Sequence, residues 1–387
     1  MNRSTVGTIG ILSGVLVGAG AFALFTACGF SPPDKNPNPQ TGGGACSATP
    51  GALPAADCDN STETCTGGGC QIDTSKCGSP QTCLPLADNT GKTTLDFRMR
   101  RLNVAAPKAL AQTFVQNTVV TANIDLKGTT GAPTCGDEGQ GAFNWLLEVD
   151  KNANTLKTGG AIPADPFSTG YCFYNHIPPG GSTTLVGPTT LTIHFDSTGN
   201  KFDTDPTPKL LVPIFLNGDI NSVIVLPLSN VTMKDVNITN DGNCIGSFQL
   251  ASLDPTCEAI DESQCEKWKT AGALGGYITL EDADGVNIDI LQESLCVLLS
   301  GATKGADGKC PRDGSGKLTV TGDYCSTSKQ AGDCADSDWL AATFAAAAVK
   351  VNDGASTPEC QGGGGTTDAG SDSGEPADSG ETDAADQ

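Results

Sequence analysis

The chain is poor in the residues that most catalytic chemistry needs. It has two histidines, His176 and His194, in 387 residues. Histidine is the side chain whose charge changes near neutral pH, so a histidine-based triad has almost no material here. No Gly-x-Ser-x-Gly stretch presents a nucleophilic serine. Phosphate-binding loops fail at single positions. Gly91-Lys92-Thr93 has Leu86 where the upstream glycine belongs, and Gly316-Lys317 is followed by Leu318 and preceded by Pro311. Basic residues are scarce: 22 Lys and Arg stand against 44 Asp and Glu, for a net charge of −22 and a pI near 4.2. Nucleic acid, which binds through Lys and Arg, is excluded as a partner, and anionic lipid headgroups repel the chain unless divalent cations bridge. No cysteine pair has Cys-x-x-Cys spacing, which removes zinc-ribbon and thioredoxin-type readings.

What is present begins at the N-terminus. Arg3 precedes a stretch from Val6 to Phe25 that carries no charge. It ends in Leu24-Phe25-Thr26-Ala27-Cys28-Gly29, small residues before a cysteine, and a Pro/Gly-rich segment follows. This is the arrangement of a bacterial lipoprotein signal, although Phe25 stands where leucine is more common. Residues 1–27 are expected to be removed and Cys28 to carry lipid. Glycines at 7, 10, 14, 18 and 20 argue against a retained membrane span. Each buried acyl CH₂ contributes about 0.8 kcal/mol, so several chains on one cysteine hold a domain at a membrane surface. The expected location is an outer membrane, lipid-anchored, on its periplasmic face or the cell surface.

Cysteine usage agrees with an oxidising compartment. Of the 17 cysteines, all but Cys28 are disulfide candidates. Cys46, Cys58, Cys65, Cys70, Cys77 and Cys83 crowd a stretch with almost no large apolar residues, so residues 46–84 are expected to form a small cysteine-rich module held by covalent staples. It would act as a protein-binding knob or as a stiff stalk. Cys135, Cys172, Cys244, Cys257, Cys265, Cys296, Cys310, Cys325, Cys334 and Cys360 can pair within the larger unit. Chain neighbours such as Cys135–Cys172, Cys257–Cys265 and Cys325–Cys334 are the simplest guesses.

Residues 28–45 are read as a Pro/Gly tether, residues 90–360 as a disulfide-linked β-rich domain, and residues 361–387 as a disordered acidic tail without Lys or Arg. In the large unit, Leu95, Phe97 and Met99 alternate with polar residues, the period of a half-buried strand. Phe143, Trp145, Leu147 and Val149 alternate in the same way. Further strands are expected around Val115 to Leu126, Gly170 to Asn175 and Leu185 to Phe195, and after Val231 and Cys244. Leu210 to Leu216 and Ser222 to Leu228 flank Asn217-Gly218-Asp219 and predict a hairpin. Short strands between turn signals indicate an antiparallel β-sandwich or barrel-like domain. Helices are expected in the C-terminal third. Ile288, Leu291, Leu295, Leu298 and Leu299 share a helical face before Gly301, and Leu340, Phe344, Ala348 and Val351 share another after Asp336 or Asp338. A shorter helix is expected from Cys257 to Trp268.

Two carboxylates two apart on a strand, Glu148 and Asp150, are the nearest approach to a glycosidase pair. Calcium is the one metal the loops suggest, at Asp150-Asn152-Asn154, Asp203-Asp205 and Asp282-Asp284-Asp289. None matches an EF-hand, and turn formation explains the same residues. No cofactor is otherwise expected.

The lipid-attachment cysteine, the tether, the cysteine-rich stretch and the Gly/Asp/Ser tail together resemble predicted envelope lipoproteins of the myxobacterial type. Leu226-Pro-Leu-Ser-Asn230 and Asp241-Gly-Asn-Cys-Ile-Gly246 resemble the sheet-to-cysteine passage of such proteins. The resemblance implies a location and no catalytic residue, since that family has no assigned activity. Gly29 after the cysteine implies, by analogy with enteric sorting, the outer membrane. The expectation is a non-enzymatic lipoprotein with a binding or structural role toward a protein or glycan partner. A hydrophobic-ligand carrier and an extracytoplasmic glycan hydrolase stand as alternatives. A filled core favours the first, an empty apolar cleft the second, and Glu148 and Asp150 converging beside Trp145 or Tyr171 the third.

Overall fold

The computed structural model describes residues 46, 48–58, 83, 85–112, 115–124, 143–162, 170–179, 183–215, 223–248, 268–288 and 291–352. These residues form a mainly β structure whose strands all pair antiparallel. In chain order the strands are β1 (Thr94–Ala106), β2 (Asn144–Asp150), β3 (Thr155–Ala161), β4 (Thr189–Phe195), β5 (Lys201–Thr204), β6 (Thr207–Phe215), β7 (Val223–Lys234), β8 (Val236–Asn237), β9 (Cys244–Ile245), β10 (Ser247–Phe248), β11 (Trp268–Lys269) and β12 (Gly272–Thr279). They continue with β13 (Asn287–Ile288), β14 (Glu293–Ser294), β15 (Tyr324–Cys325), β16 (Gln330–Ala331) and β17 (Ser337–Ala348). Two short helices, α1 (Leu280–Asp284) and α2 (Leu295–Ser300), fall in the C-terminal third. No helix among the described residues is long and apolar enough to cross a membrane.

The main sheet runs β6-β7-β12-β17-β1-β2-β3-β4-β5-β8 and curls until its flanks meet. Gly160 of β3 lies so close to β6 that a Cβ there would come within 2.5 Å of the Pro213 ring. Thr204 of β5 accepts the Met233 N–H of β7 at its hydroxyl, and its carbonyl accepts the Thr232 hydroxyl. Large apolar side chains fill the curl. Leu95, Phe97 and Met99 of β1 meet Phe143, Trp145, Leu147 and Val149, and Val212, Met233 and Phe344 close the same cluster. The alternation seen in β1 and β2 is therefore the inward face of the sheet. The predicted hairpin forms as β6 and β7, with Leu210 opposite Leu228 and Phe215 opposite Val223. Pro208 and Pro213 lie in the edge strand β6, where a missing N–H discourages further pairing.

The outer face is also covered, so β1 is buried on both sides rather than half-buried as its alternation suggested. Arg98, Arg100 and Arg101 are all at most 1% exposed. A bulge between Met99 and Arg101 inserts Arg100 as an extra residue, which keeps both neighbouring arginines out of the apolar cluster. Arg98 donates to Asn144 Oδ1 at 2.6 Å, the Ile124 carbonyl at 2.7 Å and the Met99 carbonyl at 3.0 Å, and the Tyr171 ring lies against it. Arg101 donates to the Thr121 hydroxyl and to Asn103 Oδ1, and Arg100 lies over the Trp268 ring. Such partners are what permit a buried guanidinium, since desolvation is otherwise prohibitive.

Irregular segments make the cover. Leu86 and Ala87 donate to the Ala348 carbonyl, and the Cys83–Cys244 disulfide fixes the start of that segment. The Cys46–Cys58 loop lies over β12 and β17. Trp339 donates its indole N–H to the Ala52 carbonyl, and Leu53 packs so near Gly275 that a Cβ there would come within 2.4 Å of it.

Four expectations are corrected. Residues 337–348 are not a helix but the central strand β17, between β12 and β1. Leu340, Phe344 and Ala348 are four apart, and that spacing serves one face of a strand as well as one face of a helix. Alanine favours helix intrinsically, but tertiary pairing overrides propensity. Residues 115–124 are not extended; they form a π-helical turn, Val115–Thr121, followed by a short helical turn, Ala122–Ile124. There Gln116 replaces a missing strand. Its amide oxygen accepts the Val104 N–H and its amide nitrogen donates to the Leu102 carbonyl, beyond the last β1–β2 pair at Arg98. The helix expected from Ile288 begins only at Leu295, because Ser294 caps it and Ile288 belongs to β13; Gly301 ends it in the left-handed region as predicted. The helix expected from residue 257 lies outside the described residues except for Trp268, which is in β11. The aromatic stretch around Tyr171 and Phe173 makes isolated bridges to Val351 and Ala161 rather than a full strand.

Candidate functional site

The register of β1, β2 and β3 puts Asp96 opposite Glu148 and Glu148 opposite Lys157. The three form a polar row on the outer face, because Leu95, Val149 and Leu156 point inward. Directly opposed side chains of an antiparallel pair stand about 4.5–5.5 Å apart at Cβ. Lys157 lies over the Phe173 ring, 4.6 Å from its centroid. The segment after β17 roofs Asp96: Val349 donates its N–H to the Asp96 carbonyl, and Val351 donates to the carboxylate. One carboxylate oxygen, Oδ1, is buried without a hydrogen-bond partner. Burial first, and then the neighbouring Glu148, push the Asp96 carboxyl up to about 6. A carboxyl that keeps its proton into mildly acidic solution can donate it, and that is the chemistry available here.

The pair named from the sequence shares the outer face of β2, but Asp150 is taken up by a turn. Asp150 Oδ1 accepts the Asn152 and Ala153 N–H groups at 2.8 and 2.9 Å, which fixes the β2–β3 turn, with Asn154 at φ 53°. Trp145 is inside the curl, donating to the Thr158 hydroxyl at 2.8 Å. Glu148 instead meets Asp96, which the sequence presented only as one polar residue in an alternating strand. Cross-strand register made that neighbour, and no local pattern could have shown it.

The calcium candidates are occupied by turn and ion-pair contacts. Asp203 accepts Lys234 Nζ at 3.0 Å and the Asp235 N–H at 2.8 Å, while Asp205 holds His194 Nε2 at 2.9 Å. Asp282 sits in the first turn of α1. Asp284 is buried and receives the Ser294 hydroxyl, the Cys310 N–H and Arg312. Burial raises its pKa, but these donors prevail and hold it below the usual carboxylate range. Arg312 also pairs with Glu281 at 2.8 Å, so this cluster ties α1 to the loop after α2. Asp289 lies outside the described residues. His194 is exposed, and His176 packs its ring edge against Tyr174 at 5.3 Å between centroids.

Four disulfides are described: Cys46–Cys58, Cys83–Cys244, Cys296–Cys310 and Cys325–Cys334. Cys325–Cys334 is the neighbour pair expected from the sequence. Cys83–Cys244 is a correction, since it joins the cysteine-rich stretch to the sheet across 161 residues instead of pairing within either. Spacing alone could not show this, because β9 pairs with the end of β17, past the point where β12 stops, and so lies beside the cover. Cys172 is also disulfide-bonded. Cys28, Cys65, Cys70, Cys77, Cys135, Cys257, Cys265 and Cys360 lie outside the described residues. Comparison with protein-family models, curated proteins and solved structures finds no match.

Proposed function

We propose that the chain is a lipid-anchored envelope lipoprotein, acylated at Cys28, whose β domain has a non-enzymatic binding or structural role at an outer membrane or cell surface. The observation that carries the role is the filled curl. Twenty-four buried residues occupy the interior as one apolar cluster, which supports a domain that presents its outside to a partner over one that encloses a lipid. Disulfides on the outer cover support an oxidising compartment. Asp150 is engaged in the β2–β3 turn and Trp145 lies inside the curl, which tells against the glycan-hydrolase alternative.

The test has two arms. Cells fed labelled palmitate are expected to mark the wild-type chain and leave Cys28→Ala unmarked; an unmarked wild type removes the anchor. Native mass spectrometry of the purified protein is expected to show, apart from the acyl chains on Cys28, no retained lipid. Stoichiometric co-purified lipid in the β domain would turn the role into that of a carrier.

A further inference from the structure

The loop that leaves the aromatic stretch breaks the rule followed by the rest of the surface. His176 and Val186 form an antiparallel bridge, with reciprocal backbone bonds at 3.1 and 3.0 Å. The next opposed residues are Ile177 and Leu185, which share the opposite face from Val186. Val186 is 2% exposed and packs with Tyr174 and Phe215. Ile177 and Leu185 are 56% and 58% exposed, the exposed large apolar side chains among the described residues. A strand pair normally turns polar residues outward, and an apolar pair on the wet side buries little of its surface on folding. The sequence around the pair is uncharged as well: from Pro166 to Phe195 there is no Asp, Glu, Lys or Arg, in a chain of net charge −22.

We infer that the Ile177 and Leu185 pair is a membrane-contact point, seated in the interfacial region of the bilayer that carries the anchor. The inference rests on the proposed anchoring at Cys28 and deepens it. The occupant follows from charge and from reach. An acidic surface is repelled by anionic lipid headgroups, and a segment without charge approaches any headgroup at no such cost. Gly29 to Ala45 separates the acylation position from the first described residue, Cys46. At about 3.3–3.6 Å per residue this stretch spans at most roughly 60 Å, enough to let any side of the domain face the membrane. Acylation supplies the local concentration, so two aliphatic side chains suffice to set orientation.

The experiment uses the full-length protein, purified from membranes and reconstituted in phosphatidylcholine vesicles containing a lipid with a photoactivatable diazirine on its acyl chain. After illumination and digestion, mass spectrometry is expected to find lipid adducts on the peptide bearing Ile177 and Leu185. The double variant Ile177→Asp/Leu185→Asp is expected to lose at least tenfold of that signal, with an unchanged circular-dichroism melting curve and no salt dependence. Adducts absent from this peptide, or equally abundant in the variant, overturn the inference. The same digest weighs the Cys28 peptide. An unacylated mass there overturns the anchor, and a labelled loop in that case still establishes the contact.

Discussion

The two faces of the curled sheet are buried by different means. Inside, Leu95, Phe97, Met99, Trp145 and Phe344 meet their counterparts from the far side of the same sheet, and nothing but curling is needed. Outside, β1 buries Arg98, Arg100 and Arg101, and the cover consists of irregular segments from residues 46–58, 85–90, 170–176 and 349–352. Such segments have few ladder hydrogen bonds, and their apolar contacts form small separate clusters, Tyr171, Phe173 and Val349 in one and Leu53 against the Trp339 group in another. Two of the four described disulfides fasten them, Cys46–Cys58 within the loop over β17 and Cys83–Cys244 from cover to sheet. A face that closes on itself is held by solvent exclusion, whereas one roofed by loops over charges is held by cross-links and specific donors.

This contrast is sharpest where the outer cover is unfastened. Replacing both Cys83 and Cys244 by serine opens a loop of 161 residues and is expected to cost about 5 kcal/mol. Losing Cys325–Cys334, with a separation of 9, is expected to cost about 3 kcal/mol. Guanidinium unfolding of each double variant measures the difference, and equal losses would mean that the cover is not held from Cys83. Next in size, Phe344→Ala leaves a cavity on the inner face and is expected to cost about 3–5 kcal/mol, equally at all pH values. On the outer face, Arg98→Met keeps most of the volume but leaves the Ile124 carbonyl and Asn144 Oδ1 without their donor. Its expected cost is about 2–3 kcal/mol by the same measurement.

A smaller effect separates the faces by pH. Asp96 has a folded pKa raised to about 6 against an ordinary 3.8, so the native state holds the proton more tightly than the unfolded one. The stability it contributes is full below about pH 4 and is lost as pH rises through about 6. Asp96→Asn is therefore expected to raise stability by about 1–2 kcal/mol at pH 8, with partial solvent screening allowed for, and to change nothing near pH 4. A pH-independent gain would place the effect elsewhere than in this carboxyl. Smallest of all, Asp205→Asn removes a partner of the exposed His194 and is expected to leave the thermal midpoint unchanged.

The sequence by itself determined the inward face. Alternation at 95–99 and 143–149, the Asn-Gly hairpin signal before β7 and the glycine stop at Gly301 are local patterns, and each set a local outcome. The proposed address, by contrast, rests on sequence alone, on Leu24 to Gly29 and on the cysteine count. Only the tertiary structure decided the rest. Leu340, Phe344 and Ala348 fit a helix until β12 and β1 claimed both edges of that segment, and Asp96 became an unusual acid only when the folded chain buried it and register set it against Glu148. Cys83 found Cys244 because β9 pairs with the end of β17, under the cover. Each of these outcomes depends on residues far apart in the chain, and a one-dimensional pattern carries the period of a segment but not the identity of its neighbours.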